Sequence, residues 1–285
     1  MSEGEAVSKG IGELAYWSKR KDAEGKLENY WFERFYTDHF GLTHDDYRDK
    51  RVLDIGCGPR GSLEWATMAR ERVGVDPLAN DYLQMGAAEH TMTYVASGAE
   101  TIPYPDASFD IVCSFNSLDH VDDLEAAIAE MKRLTALGGL LLVITDVHDR
   151  PTPQEPICFD WDVIELFAPE FEIQSFSCLE KLGNGAYQSA EQGIYFDHAN
   201  TERRYGVLTA RLMRVANVQP EAPRELVEPE TETETETETM AVPEPQEPTL
   251  GEAARQLAAT AMRTIRAGSE QIAKRVEQAR SDERR

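Results

Sequence analysis

A short apolar run that ends in a carboxylate and opens into a glycine turn is the feature that most constrains the fold. Residues 52–55 have the composition of a buried strand, and Gly56, Gly58 and Gly61 follow them. Glycine allows a sharp turn and a close approach of backbone to a ligand. This pattern predicts a layered α/β domain with a ligand site after its first strand, although nicotinamide enzymes use a similar turn.

A second carboxylate follows the next predicted strand. Residues 72–75 are predicted to form that strand, and Asp76 comes directly after it, 22 residues beyond Asp54. A carboxylate at this position can accept hydrogen bonds from both hydroxyls of a ribose. The alternative is that Asp76 caps a helix beginning at Pro77.

Strand-like and helix-like segments alternate along the chain, which predicts a doubly wound sheet. The apolar patterns predict strands at residues 52–55, 72–75, 93–96, 109–115, 140–145, 171–179 and 205–215. Helical patterns fall at residues 62–70, 78–87, 122–137 and 160–167. Residues 183–204 are irregular in pattern, with a candidate short strand at 193–196.

Four ordered motifs between residues 50 and 147 resemble those of class I S-adenosylmethionine-dependent methyltransferases, of the small-molecule type with a domain 11-like pattern. The motifs are residues 54–59, 73–76, 97–112 and 116–121. One position departs from the family pattern, because Arg60 stands where a third glycine is usual and Gly61 follows it. The expected fold is a Rossmann-like sheet of about seven strands, mostly parallel, with an antiparallel last strand.

The resemblance implies S-adenosylmethionine as cofactor and assigns its contacts by motif. The first motif meets the amino-acid end, the second the ribose, the third the adenine, and a residue after the fourth strand the sulfonium. In that order, the predicted contacts are Asp54, Gly56, Cys57 and Gly58; Asp76 and Pro77; Ala99 and Glu100; and Asn116. The implied reaction is direct displacement of the methyl group by an acceptor lone pair, with the protein aligning both partners.

A general base is needed only for a weakly nucleophilic acceptor such as a hydroxyl. His120 is the first candidate and Asp119 the second; the alternative is that His120 only forms hydrogen bonds near the strand end. Asp146, His148 and Asp149 follow a later strand and offer divalent-metal ligands. Their spacing is not diagnostic, so no metal is assigned.

The sequence divides into four predicted parts. Residues 1–50 are aromatic and helical, and would either cover an edge of the core or form a lid over a substrate pocket. Residues 51–217 form the methyltransferase domain, 218–248 an acidic Glu-Thr and Pro linker expected to be disordered, and 249–283 an amphipathic helix for self-association or partner contact. Residues available to line the acceptor site are Trp17, Tyr30, Trp31, His148, Trp161 and His198.

The net charge of −23 disfavours nucleic acid as a partner, because an acidic surface repels phosphate. We therefore expect a small-molecule, sugar or lipid-linked glycan acceptor. The four cysteines form no metal-binding pattern, and neither a signal peptide nor a transmembrane segment is expected, so a cytoplasmic location is predicted. Two other hypotheses are a nicotinamide-dependent oxidoreductase and a non-catalytic S-adenosylmethionine-binding scaffold.

Overall fold

A computed structural model describes residues 3–29, 31–152, 155–183, 185–202 and 204–216. Its centre is a seven-stranded sheet in the order β3-β2-β1-β4-β5-β7-β6. The strands are β1 (Arg51–Ile55), β2 (Glu71–Asp76), β3 (Thr93–Ala96), β4 (Phe109–Phe115), β5 (Thr135–Val147), β6 (Phe171–Glu180) and β7 (Gly206–Arg214). The predicted linker at 218–248 and helix at 249–283 lie outside the described residues.

Strand direction confirms the predicted fold class. Strands β1 to β5 pair in parallel, and β7 runs antiparallel to both β5 and β6. The chain reverses its direction of progress across the sheet between β1 and β4. In such sheets ligands bind outside the carboxyl ends of the strands, at this switch point. The loops after β1, β2, β4 and β5 therefore define one functional edge.

Helices and short turns flank the sheet. The helices are α1 (Glu3–Glu24), α2 (Glu33–Tyr36), α3 (His44–Tyr47), α4 (Ala79–Gln84), α5 (Leu124–Leu134) and α6 (Ala186–Gln192). Asp123 caps α5 by accepting a hydrogen bond from the Ala126 N–H at 3.0 Å. The apolar face of α5 is buried, through Ala127, Ile128, Met131 and Leu134.

One helix prediction is wrong, and the predicted end of another is three residues too late. Residues 62–70 form successive turns, in which the Glu64 N–H donates to the Gly61 carbonyl at 3.0 Å. The Arg72 guanidinium donates to the Leu63 and Glu64 carbonyls, so a side chain takes acceptors that a helix would use. The helix predicted to reach residue 137 ends at Leu134, because Thr135 already belongs to β5.

Other segments deviate less from the prediction. Residues 160–167 contain a 3-10 helix, Trp161–Phe167, instead of an α-helix. Helix α6 lies inside the segment predicted to be irregular, and the candidate strand at 193–196 is a single bridge between Leu179 and Tyr195. None of the helices among the described residues is long and apolar enough to cross a membrane.

The aromatic N-terminal segment contributes to the core through its second half. Phe35, Tyr36 and Phe40 are buried, and the rings of Tyr36 and Phe40 lie 4.6 and 5.8 Å from the ring of Phe115 in β4. This part of the segment packs as the core-covering interpretation predicts. Helix α1, in contrast, contacts the loops at the functional edge.

Candidate active site

Asp76 joins two loops at the carboxyl end of β2. Its side chain is 5% exposed; Oδ1 accepts a hydrogen bond from the Leu78 N–H at 2.9 Å, and Oδ2 accepts one from the Gly58 N–H at 3.2 Å. The bond to the Leu78 N–H is of the capping type and lies in the turn that leads into α4, whose N-cap position is Leu78, so Asp76 both supports this turn and faces the glycine turn. Burial and the neighbouring Glu13 carboxylate raise the pKa of Asp76 to about 7.

Asp54 is the corresponding carboxylate at the end of β1. It is 2% exposed, and its Oδ2 accepts a hydrogen bond from the Tyr36 hydroxyl at 3.0 Å. Burial raises the pKa of Asp54 to about 6, although its hydrogen bonds act in the opposite direction. A side chain from α2 thus reaches across the sheet edge and fixes the orientation of this carboxylate.

The glycines of the turn have left-handed backbone and distinct close neighbours. Gly56, Gly58 and Gly61 have φ angles of 74°, 57° and 69°. A Cβ atom on Gly56 would lie 2.3 Å from the Ser117 Cβ, whereas one on Gly58 would lie 3.5 Å from the Trp17 ring. The left-handed conformation of Gly61 fits a turn one residue longer than the family pattern.

Cys57 points away from this turn. Its Sγ lies 2.6 Å from the position that a Cβ on Gly74 would take, so the thiol packs into the sheet. Burial raises the pKa of the Cys57 thiol well above its ordinary value. Any contact of Cys57 with a ligand at this edge would therefore be through its backbone. Pro77, the next predicted contact, is exposed between Asp76 and Leu78.

Helix α1 lies over the glycine turn and the β2 loop. The Tyr82 hydroxyl donates to Glu13 Oε1 at 3.1 Å, and the Trp17 indole N–H donates to the same oxygen at 3.3 Å. The Arg60 guanidinium bonds Glu24 at 2.9 Å and lies over the Trp17 ring, 5.4 Å from its centre. Arg60, the departure from the family pattern, thus links the turn to α1.

The predicted adenine and sulfonium contacts occupy the next loops. Ala99 is buried, while the Glu100 Oε1 accepts hydrogen bonds from the Asp122 and Asp123 N–H groups at 2.7 and 3.2 Å. The Glu100 carboxylate therefore organises the start of α5. Asn116, directly after β4, is in the left-handed region at φ 54°, a conformation that asparagine tolerates better than most residues.

A second group of buried polar side chains lies at the ends of β4 and β5. Asp119 is fully buried, and the Nε2 atoms of His120 and His148 each lie 3.8 Å from its Oδ2. Asp119 raises the pKa of His148, against the effect of burial. Asp146 instead forms an ion pair with Lys181, so it does not join this group.

Glu155 completes the group, and the sequence pattern did not indicate it. Ligand atoms of Asp119, His148 and Glu155 all lie within 4.8 Å of one another. Glu155 belongs to a loop eight residues beyond the end of β5, where no strand end or periodicity marks it. Only the folding back of this loop, where the Ile157 N–H donates to the Asp119 carbonyl at 3.3 Å, brings it to the site.

The aromatic residues predicted to line an acceptor pocket separate into two places. Trp161 packs on Gly206, its ring 4.9 Å from Phe196 and 5.7 Å from His198. His148 lies 5.3 Å from the Tyr205 ring, so it shares this side of the sheet edge. By contrast, Trp17 lies at Gly58 and Trp31 stacks on Phe32. Tyr30 lies outside the described residues.

Comparison with known proteins gives a consistent class. Residues 53–143 match the family model for the methyltransferase domain. The chain is 27% identical to ajmaline N-methyltransferase from Rauvolfia serpentina over 38% of this chain and 40% of that protein. It is 27% identical to chloroplastic tocopherol O-methyltransferase from Arabidopsis thaliana over 41% of this chain and 36% of that protein. It is 32% identical to the ubiquinone/menaquinone biosynthesis C-methyltransferase of Stenotrophomonas maltophilia over 47% of this chain and 51% of that protein.

The sheet order, the two buried carboxylates and the matched segment define an S-adenosylmethionine-dependent methyltransferase domain of class I. The resemblance to the methyltransferase domain family is thus confirmed for residues 53–143. The match decides between the two cofactor classes that the glycine turn allowed, in favour of S-adenosylmethionine. The chain spans about a third to about half of the length of these three relatives.

Proposed function

We propose that this protein transfers a methyl group from S-adenosylmethionine to a small-molecule acceptor. The observation that carries the proposal is the pair Asp54 and Asp76, buried at the carboxyl ends of adjacent parallel strands and joined by a glycine turn. Asp76 would accept the ribose hydroxyls, and Asp54 would face the end of the cofactor that carries the ammonium group.

The acceptor site is proposed at the ends of β4 and β5, beside the cofactor. Asn116 and His120 would lie at the junction, with His120 or Asp119 as general base if the acceptor is a hydroxyl. Asp119 lies 3.8 Å from both His120 and His148, so it can orient either imidazole. The names of the three relatives specify nitrogen, oxygen and carbon acceptors, so the family alone does not fix the methylated atom.

We also infer that α1 is a lid over the cofactor. Trp17 lies at Gly58 and Glu13 lies near Asp76, which are the positions where cofactor contacts are predicted. The cofactor therefore requires α1 to shift before it binds, and α1 can then close over it and exclude water. Arg60 attaches α1 to the glycine turn through Glu24 and the Trp17 ring.

Two observations support a small-molecule acceptor: the names of the relatives and a cluster of aromatic rings. The relatives are named for ajmaline, tocopherol and ubiquinone or menaquinone, all small molecules. The cluster of Trp161, Phe196 and His198 near the proposed acceptor site offers ring faces for a cyclic substrate. A sugar or lipid-linked glycan acceptor and a cytoplasmic location stay predictions.

The test is calorimetric titration of the full chain with S-adenosylmethionine and, separately, with a nicotinamide dinucleotide. Saturable binding of S-adenosylmethionine is expected, with loss of binding in Asp76→Ala. Asp81→Asn, an exposed carboxylate on α4, is the matched control and should bind as the unaltered protein does. Binding of the dinucleotide alone would overturn the proposal. Cofactor binding without methylation of any of the acceptor classes would favour the non-catalytic scaffold.

A further inference from the structure

The buried group at the ends of β4 and β5 has an unusual arrangement of acceptors. Asp119 is fully buried and His148 is 4% exposed. Among the described residues, neither Asp119 Oδ2 nor His148 Nε2 has a hydrogen-bond partner, and the two atoms face each other at 3.8 Å. That distance is too long for a direct hydrogen bond. Buried polar atoms left in this way are costly, so the arrangement needs an explanation.

The other nitrogen of His148 fixes the form of its ring. Nδ1 lies 2.9 Å from the Arg150 carbonyl oxygen, which can only accept, and 3.6 Å from the Cys158 Sγ, which is a weak donor. The shorter and stronger contact assigns a hydrogen to Nδ1, which donates to the carbonyl. In the neutral ring, Nε2 then presents a lone pair toward the Asp119 carboxylate. Two acceptors that face each other inside a protein need a positive charge between them, either a proton or a cation.

Glu155 distinguishes these two possibilities. Its carboxylate lies within 4.8 Å of the ligand atoms of both Asp119 and His148, so a second negative charge approaches the same point. One proton can join two acceptors but leaves the third carboxylate facing like charge. A divalent cation neutralises both carboxylates and accepts the imidazole lone pair as well.

The surroundings resemble those of metal ligands in general. Metal-binding imidazoles commonly donate their second N–H to a carbonyl, as His148 does to Arg150. Ligand carboxylates are commonly held by a hydrogen bond, and the Thr145 hydroxyl donates to Asp119 Oδ1 at 3.3 Å. The Glu155 N–H donates to the Thr152 hydroxyl at 2.9 Å, which fixes the loop that carries the third ligand.

We propose that Asp119, His148 and Glu155 form a binding site for one divalent transition-metal cation. One imidazole and two carboxylates suit manganese or zinc better than magnesium, which favours an all-oxygen shell with several waters. Three protein ligands leave coordination positions for an acceptor oxygen. The metal site does not depend on the proposed methyl transfer; only the expectation that it faces the acceptor rests on that function.

The test is Mn²⁺ binding by the full chain after treatment with a chelator. The electron paramagnetic resonance signal of free Mn²⁺ measures the unbound ion, and Zn²⁺ is added as a competitor. We expect one saturable site per chain, displaced by Zn²⁺ and little affected by Mg²⁺. Binding should weaken by at least about tenfold in both His148→Ala and Glu155→Gln, since each removes a direct ligand.

Matched controls separate this site from general attraction to an acidic protein. His44→Ala and Asp45→Asn, both exposed on α3 and remote in sequence from the ligands, should bind Mn²⁺ normally. Glu155→Gln alters a half-buried loop residue, so it remains informative if His148→Ala does not fold. Asp76→Ala should lose S-adenosylmethionine but keep Mn²⁺, which separates failure of the metal site from failure of the proposed function. Equal Mn²⁺ binding by Glu155→Gln and the unaltered chain would overturn the proposal.

Discussion

The raised pKa of Asp76 predicts a pH-dependent affinity for ligands that contain ribose. The ribose hydroxyls donate, so they need the carboxylate form of Asp76. With a pKa of about 7, about one tenth of the free protein carries that form at pH 6 and about nine tenths at pH 8. Apparent affinity scales with the competent fraction. The dissociation constant should therefore be about tenfold lower at pH 8, which corresponds to about 1.4 kcal/mol.

The ligand for this measurement is 5′-methylthioadenosine, which keeps the ribose and adenine but lacks the amino-acid part. Its use removes the titration of the ligand's own ammonium group and the contribution of Asp54, whose pKa is about 6. Titration calorimetry between pH 5.5 and 8.5 should show affinity that rises about tenfold per pH unit below pH 7, bends near pH 7 and is level from about pH 8.

Glu13 provides an internal check on the cause. Its carboxylate is the charged neighbour that raises the pKa of Asp76, after burial. Glu13→Gln should therefore move the break in the binding curve to lower pH, while Asp22→Asn, an exposed carboxylate near the end of the same helix, should leave it in place. Equal affinity of 5′-methylthioadenosine at pH 6 and pH 8 in the unaltered protein would refute the reasoning.

Three further predictions concern stability and the lid. The folded-state pKa of Asp76 lies about three units above the unfolded one, so the stability of the unaltered protein should fall as pH rises from about 4 to about 7, by up to about 4 kcal/mol. Asp76→Asn loses one acceptor for a backbone N–H at every pH but should remove this fall, and urea unfolding of both proteins at pH 4 and pH 8 measures the difference. Gly56→Ala should cost about 1–2 kcal/mol for its left-handed backbone and more for the contact with Ser117. Ser117→Gly relieves that contact but loses the hydrogen bond from the Ser117 hydroxyl to the Ile55 carbonyl, so the double variant should cost less than the sum of the two single variants. Additive costs in urea unfolding would contradict the contact. Trp17→Ala should increase the rate of S-adenosylmethionine association in stopped-flow measurements, whereas Tyr16→Ala, exposed on the same helix, should not; equal rates for both variants would count against a lid.

The sequence predicted the sheet well because its strands are apolar runs bounded by strong turn signals. The strands at 93–96 and 109–115 were predicted at their observed bounds, and Asp76 falls at the end of β2. The helix predicted at 62–70 fails for a tertiary reason: Arg72 takes the Leu63 and Glu64 carbonyls, and no local pattern reports such a contact. Periodicity describes a segment's own preference, which long-range hydrogen bonds can override.

The residues of the candidate site likewise fall into those that the sequence predicted and those that it did not. The glycine turn and Asp76 are local motifs, so their positions could be predicted, whereas Glu13 and Glu155 come from a distant helix and a late loop. Neither carboxylate lies near a motif in sequence, yet each approaches a buried carboxylate of the edge: Glu13 approaches Asp76, and Glu155 approaches Asp119. Such contacts depend on how α1 and the loop after β5 fold onto the sheet, and pattern reasoning along the chain does not reach them.

The charges at the edge also suggest how the two halves of the site differ. On the cofactor side, Asp76 and Glu13 are two carboxylates whose mutual repulsion raises a pKa, and a bound ribose would supply donors that relieve it. On the acceptor side, the Asp119 and Glu155 carboxylates and the His148 Nε2 lone pair lie within 4.8 Å of one another. No single neutral donor can bond all three acceptors at once. The first arrangement calls for hydroxyl hydrogens and the second for a positive charge. The switch point of the sheet between β1 and β4 separates these requirements, so each half of the edge can select its ligand by its own chemistry.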